Sequence, residues 1–458
     1  MNLPTRTFTI ALAIGTLFPA FPARADNWPQ WRGPDGTGVS QEKDLPIVWH
    51  EGRGIDWKSP LPAWGTSTPA IWGDAIFVTS HTDKNELLLL KLHKKSGEIL
   101  WTQNVGSGEA RRDEGKSKGP SRDKQKFHLL HNLASPSPVT DGKTVVAHFG
   151  NGDLAAYDYD GKQLWKRNLQ EDYGGYSIWW GHANSPVLYR DLVISVCMQD
   201  SLADLRDKPV ESYLVAHDLK SGNERWKLIR TTKAKAEECD AYTTPLLVRR
   251  DSVADGAPRS GDLRSDGAPR SGDLQLVIMG GNQLDAYDPA TGKQLWVLEG
   301  LVGGRTVTGP TAAHGLIYAT RGLRGAMVAV DPSAGGELSK RSIVWEYEGG
   351  TPDTCCPVVW AELLFMVSDD GIARCLDART RHLKWMQRLK GKYKASPIAA
   401  EGRVFFLNTE GLCTVISAAP RFDKLLENKL DDEFLASPAV SDGKIFLRGK
   451  NTLYCIGR

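Results

Sequence analysis

The side chains best suited to chemistry fall in two short stretches. His128, His131 and Asn132 lie in FHLLHNLASPSP, and Tyr176, Trp179, Trp180 and His182 lie in YGGYSIWWGHANSP. Neutral imidazoles from separate loops can chelate a transition metal, and indole or phenol rings beside them can form one wall of a ligand pocket. No Cys or carboxylate stands at a diagnostic spacing from these histidines, so no metal site is expected. A packed loop interior or the rim of a ligand site remains. Tyr242, Arg305, Arg321 and Asp353 occupy comparable places farther along and join the candidate rim. Cys355 and Cys356 are adjacent, and Cys239 sits in a polar stretch. The sequence contains no H-E-x-x-H and no phosphate-cradling G-x-x-x-x-G-K-S/T, and its one G-x-S-x-G match, Gly115 to Gly119, lies in a charged, Gly-rich stretch rather than at a strand-to-helix elbow, so no catalytic residue is assigned.

What must position these residues is an internal repeat. A small residue and Pro, a short apolar run, a tight turn, a second run, an alternating strand, Asp, a Gly turn and Leu-Trp recur along the chain. The clearest copies run from Ser137 to Trp165 and from Thr244 to Trp296; other starts are Thr68-Pro69, Ser185-Pro186, Gly309-Pro310, Cys356-Pro357, Ser396-Pro397 and Ser437-Pro438. Four β-runs at a period of roughly 40 residues match one blade of a propeller. The expected fold is all-β, an eight-bladed propeller of four-stranded blades. Closing strands are expected to end at Trp101, Trp165, Trp226, Trp296, Trp345 and Trp385, with Leu425-Leu426 in the seventh copy. The eighth copy stops at Tyr454-Cys455-Ile456, so Ile55–Lys58 is expected to complete it from the other end of the chain and seal the ring. The recurring Asp158, Asp218, Asp288, Asp331 and Asp377 are expected to cap turns, and the tryptophans to wedge between blades.

Composition limits the rest. The 458 residues carry 57 Lys+Arg against 55 Asp+Glu, a balance that disfavours nucleic-acid binding. Fifteen Trp and 46 Gly beside 6 Met suit short strands and tight turns. Arg6, the apolar run Phe8 to Phe18 and Ala23-Arg24-Ala25 read as a secretory signal peptide over residues 1–25, leaving 26–458 as one exported domain, periplasmic or extracellular. No stretch approaches the ~20 apolar residues of a membrane span. Seven scattered cysteines are too few for a disulfide scaffold; Cys197, Cys375, Cys413 and Cys455 read as buried thiols.

The phrase around Gly152 to Trp165, and Gln283 to Trp296 without its leading Gly, resembles the PQQ-type repeat of quinoprotein dehydrogenases and of the BamB outer-membrane assembly lipoprotein. The resemblance implies the same eight-bladed fold. From its quinoprotein branch it implies pyrroloquinoline quinone with calcium in the central funnel, a stacking Trp and a disulfide of adjacent cysteines. Trp179 or Trp180 and Cys355-Cys356 are the visible counterparts; calcium ligands and a base have none. From the BamB branch it implies a scaffold without catalysis, although the anchoring cysteine of that family has no counterpart.

Insertions sort by face. Gly106–Leu130, Gln170–His182, Gln199–Glu211 and Thr231–Ala241 map to one face over blades one to four, which suggests a binding surface for a protein or glycan. The first of these carries Arg111, Arg112, Lys116, Lys118, Arg122, Lys124 and Lys126 and reads as a solvated loop. Asp251–Leu274, with DGAPRSGDL twice, maps to the opposite face and reads as disordered. The resulting expectation is a monomeric, non-catalytic, exported binding or scaffold propeller without a cofactor. The runner-up is a quinoprotein oxidoreductase acting on an alcohol or sugar with quinone and calcium.

Overall fold

A computed structural model describes residues 27–111, 125–199, 211–250 and 274–458. The expected signal peptide, the centre of the charged loop, most of Gln199–Glu211 and the duplicated insertion up to residue 273 lie outside them.

Eight antiparallel sheets form an eight-bladed propeller. In every blade the inner strand begins at the residue after the repeat's proline: Ala70–Trp72, Val139–Thr140, Val187–Tyr189, Leu246–Arg249, Thr311–Ala313, Val358–Trp360, Ile398–Ala400 and Ala439–Ser441. Proline fits there because its missing N–H precedes the first sheet hydrogen bond. Alternation then packs each blade on both neighbours. In blade 2, Val145 and Ala147 join the core shared with blade 1, while Val146 and Leu154 join the core shared with blade 3.

The ring is closed as the sequence implies. Ile55–Pro60 pairs antiparallel with Thr452–Ile456 and becomes the outer strand of blade 8. The tryptophans correct one expectation: each outer strand starts near its Trp rather than ending there. Trp101, Trp165, Trp226, Trp296, Trp345 and Trp385 are all the third residue of their strands, as is Trp57 in blade 8 and Leu426 in blade 7. From there the indole reaches the turn of the next blade. Trp57 donates Nε1–H to the Lys94 carbonyl at 3.0 Å, Trp165 to Leu219 at 2.9 Å and Trp345 to Ala378 at 2.9 Å. The turn glycine makes room: Gly97 has φ +72°, and a Cβ on it would lie 2.4 Å from the Trp57 ring. In the same turns Asp158, Asp218, Asp288, Asp331 and Asp377 accept from backbone N–H groups within four residues.

A second ring runs through the small residues before the prolines. The N–H of Thr68 donates to Ser137 Oγ, that of Ser137 to Ser185 Oγ, that of Ser185 to Thr244 Oγ1, that of Cys356 to Ser396 Oγ and that of Ser396 to Ser437 Oγ. The small side chain satisfies a buried donor of the preceding blade, which explains its recurrence.

Two features had no repeat signal. Gly336–Glu337 adds a parallel fifth strand to the outer edge of blade 4. Residues 27–40 line the central axis, against the free inner edges of the blades. Trp28 exchanges hydrogen bonds with Ile71 at 2.9 and 2.7 Å, the N–H of Thr140 donates to the Pro29 carbonyl at 2.9 Å, and Ala399 N–H donates to the Gly38 carbonyl at 2.9 Å. Edge groups that would otherwise be unpaired are thereby covered.

Candidate functional site

The loops entering blades 2, 3 and 4 hold most of the predicted rim. Leu169–Tyr173 forms a short helix whose N-cap, Asn168, accepts from the N–H groups of Gln170 and Glu171. Gln170 Oε1 then accepts from Tyr176 N–H at 2.8 Å, which turns the following segment inward. Tyr176 is consequently buried and stacks on the fully buried ring of His182, with centroids 4.9 Å apart. Of the two readings open for them, loop interior or ligand rim, both take the interior. His182 Nε2 is 3.0 Å from the Val196 carbonyl, and its ring lies 4.6 Å from that of His148, which sequence reasoning overlooked. Burial drives both imidazoles toward the neutral form, His148 well below the usual histidine range and His182 down to about 4.

Trp179 and Trp180 stay half-buried at the surface, roughly perpendicular to each other. They are clamped by polar groups from other blades. Asp240 Oδ2 accepts from Trp179 N–H at 2.8 Å, Tyr242 Oη from Trp180 N–H at 3.1 Å, and Glu237 Oε1 from the Trp180 indole at 2.9 Å. His128 meets the Trp180 ring edge-on at 5.7 Å, Lys126 lies 4.9 Å from the centre of the Trp179 ring, and His131 Nε2 contacts the Trp180 carbonyl. Asn132 is buried beneath: its Oδ1 accepts from Ala134 N–H and its Nδ2 donates to the Trp64 carbonyl, tying blade 2 to blade 1.

The arc continues. Arg305 lies 3.8 Å from Glu237 and 3.4 Å from Asp353. Asp369 accepts from the N–H groups of Asp353 and Thr354 and meets Lys394 at 2.6 Å. Asp353 is raised above the ordinary carboxylate range by burial, which the Arg305 charge partly offsets. Thus His128, Trp179, Trp180, Tyr242, Arg305 and Asp353 are connected by direct contacts spanning blades 2 to 6. Arg321 is engaged elsewhere, donating to Glu346 at 2.7 Å. Glu237, Asp240, Asp369 and Lys394 were not anticipated. Glu237 and Asp240 fall within the insertion 231–241, whose face was legible although their roles were not.

Cys355 and Cys356 are free and buried, as are the other five cysteines. Cys356 takes the ring position that Ser or Thr occupies in other blades, accepting from Gly309 N–H at 3.1 Å, while Cys355 donates to the Ala395 carbonyl. Burial pushes the Cys355 thiol well up, so it stays protonated. Against the inner strand here lies the buried guanidinium of Arg32, bonded to the carbonyls of Thr37 and Pro357. The two thiols are used in blade packing, and among the described residues no three His, Cys, Asp or Glu side chains gather into one cluster.

The family model described as "Outer membrane protein assembly factor BamB" matches residues 39–207, 210–354 and 323–420. Comparison with curated proteins returned no match. Among solved structures, the quinohemoprotein alcohol dehydrogenase from Comamonas testosteroni superposes with a TM-score of 0.62 at 13% identity, over 95% of this chain and 81% of that one. BamB from Moraxella catarrhalis superposes at 0.55 and 12% identity, over 88% and 98%. At these identities the likeness speaks for the fold alone. Among the described residues no helix is long and apolar enough to cross a membrane, which says nothing about a β-barrel.

Proposed function

The chain belongs to the PQQ-like propeller family described by the BamB model, and we propose that it is an exported, non-catalytic binding module whose ligand or partner sits on the loop-rich face. The observation that carries this reading is the connected arc from His128 through Trp179, Trp180, Glu237 and Arg305 to Asp353. It combines two half-buried rings with polar side chains immobilised by other blades, the kind of pre-ordered surface that binds without paying for rearrangement. Cys355 and Cys356 serve structure in this reading rather than redox chemistry. The deciding experiment supplies the full chain with pyrroloquinoline quinone, calcium, an artificial electron acceptor and a panel of alcohols and sugars. No substrate-dependent dye reduction is expected, and turnover with any of them would establish an oxidoreductase instead.

A further inference from the structure

Charges of both signs interleave along the arc, where the carboxylates of Glu237, Asp240, Asp353 and Asp369 stand beside Arg305, Lys394 and Lys126. Arg305 lies between Glu237 and Asp353, Lys394 sits on Asp369, and Lys126 rests on the Trp179 ring. Mixed signs weaken the local field, so the surface offers little steering to a strongly charged ligand. It does set donors and acceptors side by side next to two indoles. Asp353 also keeps one oxygen, Oδ1, buried without a hydrogen-bond partner, although Oδ2 faces Arg305. A buried acceptor without a partner is costly, and a ligand donor reaches this one only when the side chain turns toward solvent.

A sugar ring has the complementary chemistry. The C–H face of a pyranose packs on an indole, and each hydroxyl both donates and accepts, so it can bridge a carboxylate and a guanidinium. Resting on the binding-module reading, we propose that this rim is a saccharide site for neutral sugar residues, with Trp179 or Trp180 as the stacking face and Glu237, Arg305 and Asp353 reading hydroxyls. The mixed signs, with one more carboxylate than cation, favour neutral over acidic sugars. Fixed polar groups around the rings set which hydroxyl pattern fits.

The test is calorimetric titration of the full chain with neutral hexasaccharides of glucose, galactose, mannose, xylose and N-acetylglucosamine, and with a uronic acid hexasaccharide. Each is taken to about 10 mM, enough to occupy most of a site with a Kd of ~1 mM. Binding of at least one neutral hexasaccharide is expected, with little dependence on salt. Trp179→Ala or Trp180→Ala should weaken it roughly tenfold, and Glu237→Gln or Asp353→Asn by about three- to tenfold. Met386→Ala, on the exposed outer strand of blade 6, should leave it unchanged. Circular dichroism and melting of each variant separate lost binding from lost folding. Failure of every neutral sugar to bind overturns the saccharide assignment, as does binding that survives both tryptophan variants, or steep salt-dependent binding of the uronate alone. Those results leave the broader binding-module reading to its own test. A neutral sugar that binds and is also oxidised would instead overturn that reading while keeping the ligand class.

Discussion

Acid should loosen this propeller through its buried histidines before its carboxylates titrate. His182 is fully buried, and burial lowers its pKa from 6.5 to about 4. The folded state therefore keeps the ring neutral, while the unfolded chain takes up a proton below about pH 6.5. In that window the unfolded state binds more protons, so stability is present above pH 6.5 and is lost as pH falls toward 4. A depression of about 2.5 units at 1.36 kcal/mol each makes roughly 3 kcal/mol for His182. His217, lowered to about 4 chiefly by burial, adds a comparable share, and His148 shifts in the same direction. The carboxylates held low by backbone N–H groups or cations, such as Asp218 and Glu427, lose their contribution only below their ordinary range. Denaturant unfolding at pH 7, 6, 5 and 4 should show the loss, with the largest change between pH 6 and 4. His182→Phe removes the titrating group. Its stability, although lower at pH 7 for want of the Val196 contact, should fall by about 3 kcal/mol less than wild type over the same range. Identical slopes for wild type and variant would refute the reasoning. Trp179 and Trp180, on the segment His182 anchors, should change fluorescence in the same pH window.

The remaining predictions concern the frame. Gly97→Ala should destabilise by about 2 kcal/mol or more in equilibrium unfolding, since it combines a positive φ with a clash against Trp57; a neutral result would deny the wedge. Trp385→Ala should cost about 3 kcal/mol by the same measurement, because a largely buried ring and its bond to the Ala419 carbonyl are lost. Deleting residues 27–40 should speed hydrogen exchange at the Ile71, Thr140 and Ala399 amides by at least about a hundredfold relative to other inner-strand amides, because their acceptors are removed.

The fold was legible because a propeller writes each blade separately. Proline before the inner strand, Asp in the turn and Trp on the outer strand are local requirements, so they recur at readable intervals, and the unmatched Trp57 exposed the closure. The tryptophans were placed at the wrong end of their strands because the Leu-Trp phrase closes the repeat in sequence while opening the outer strand in space. The site was legible by face and only partly by residue. His182 and Tyr176 sit below the rim because the Asn168 cap and the Gln170 side chain redirect the chain, a side-chain interaction that leaves no period. Residues 27–40 belong to no repeat, and their partners lie in blades far along the chain. Trp28, Arg32 and the turn glycines Gly33, Gly36 and Gly38 were the available signal of an ordered segment there.

The most direct test of the central claim is quinone retention. The full chain is mixed with pyrroloquinoline quinone and excess calcium, passed through a desalting column and scanned for quinone absorbance in the protein peak. A non-catalytic binding propeller should emerge free of quinone, whereas one quinone per chain that survives desalting would contradict the account.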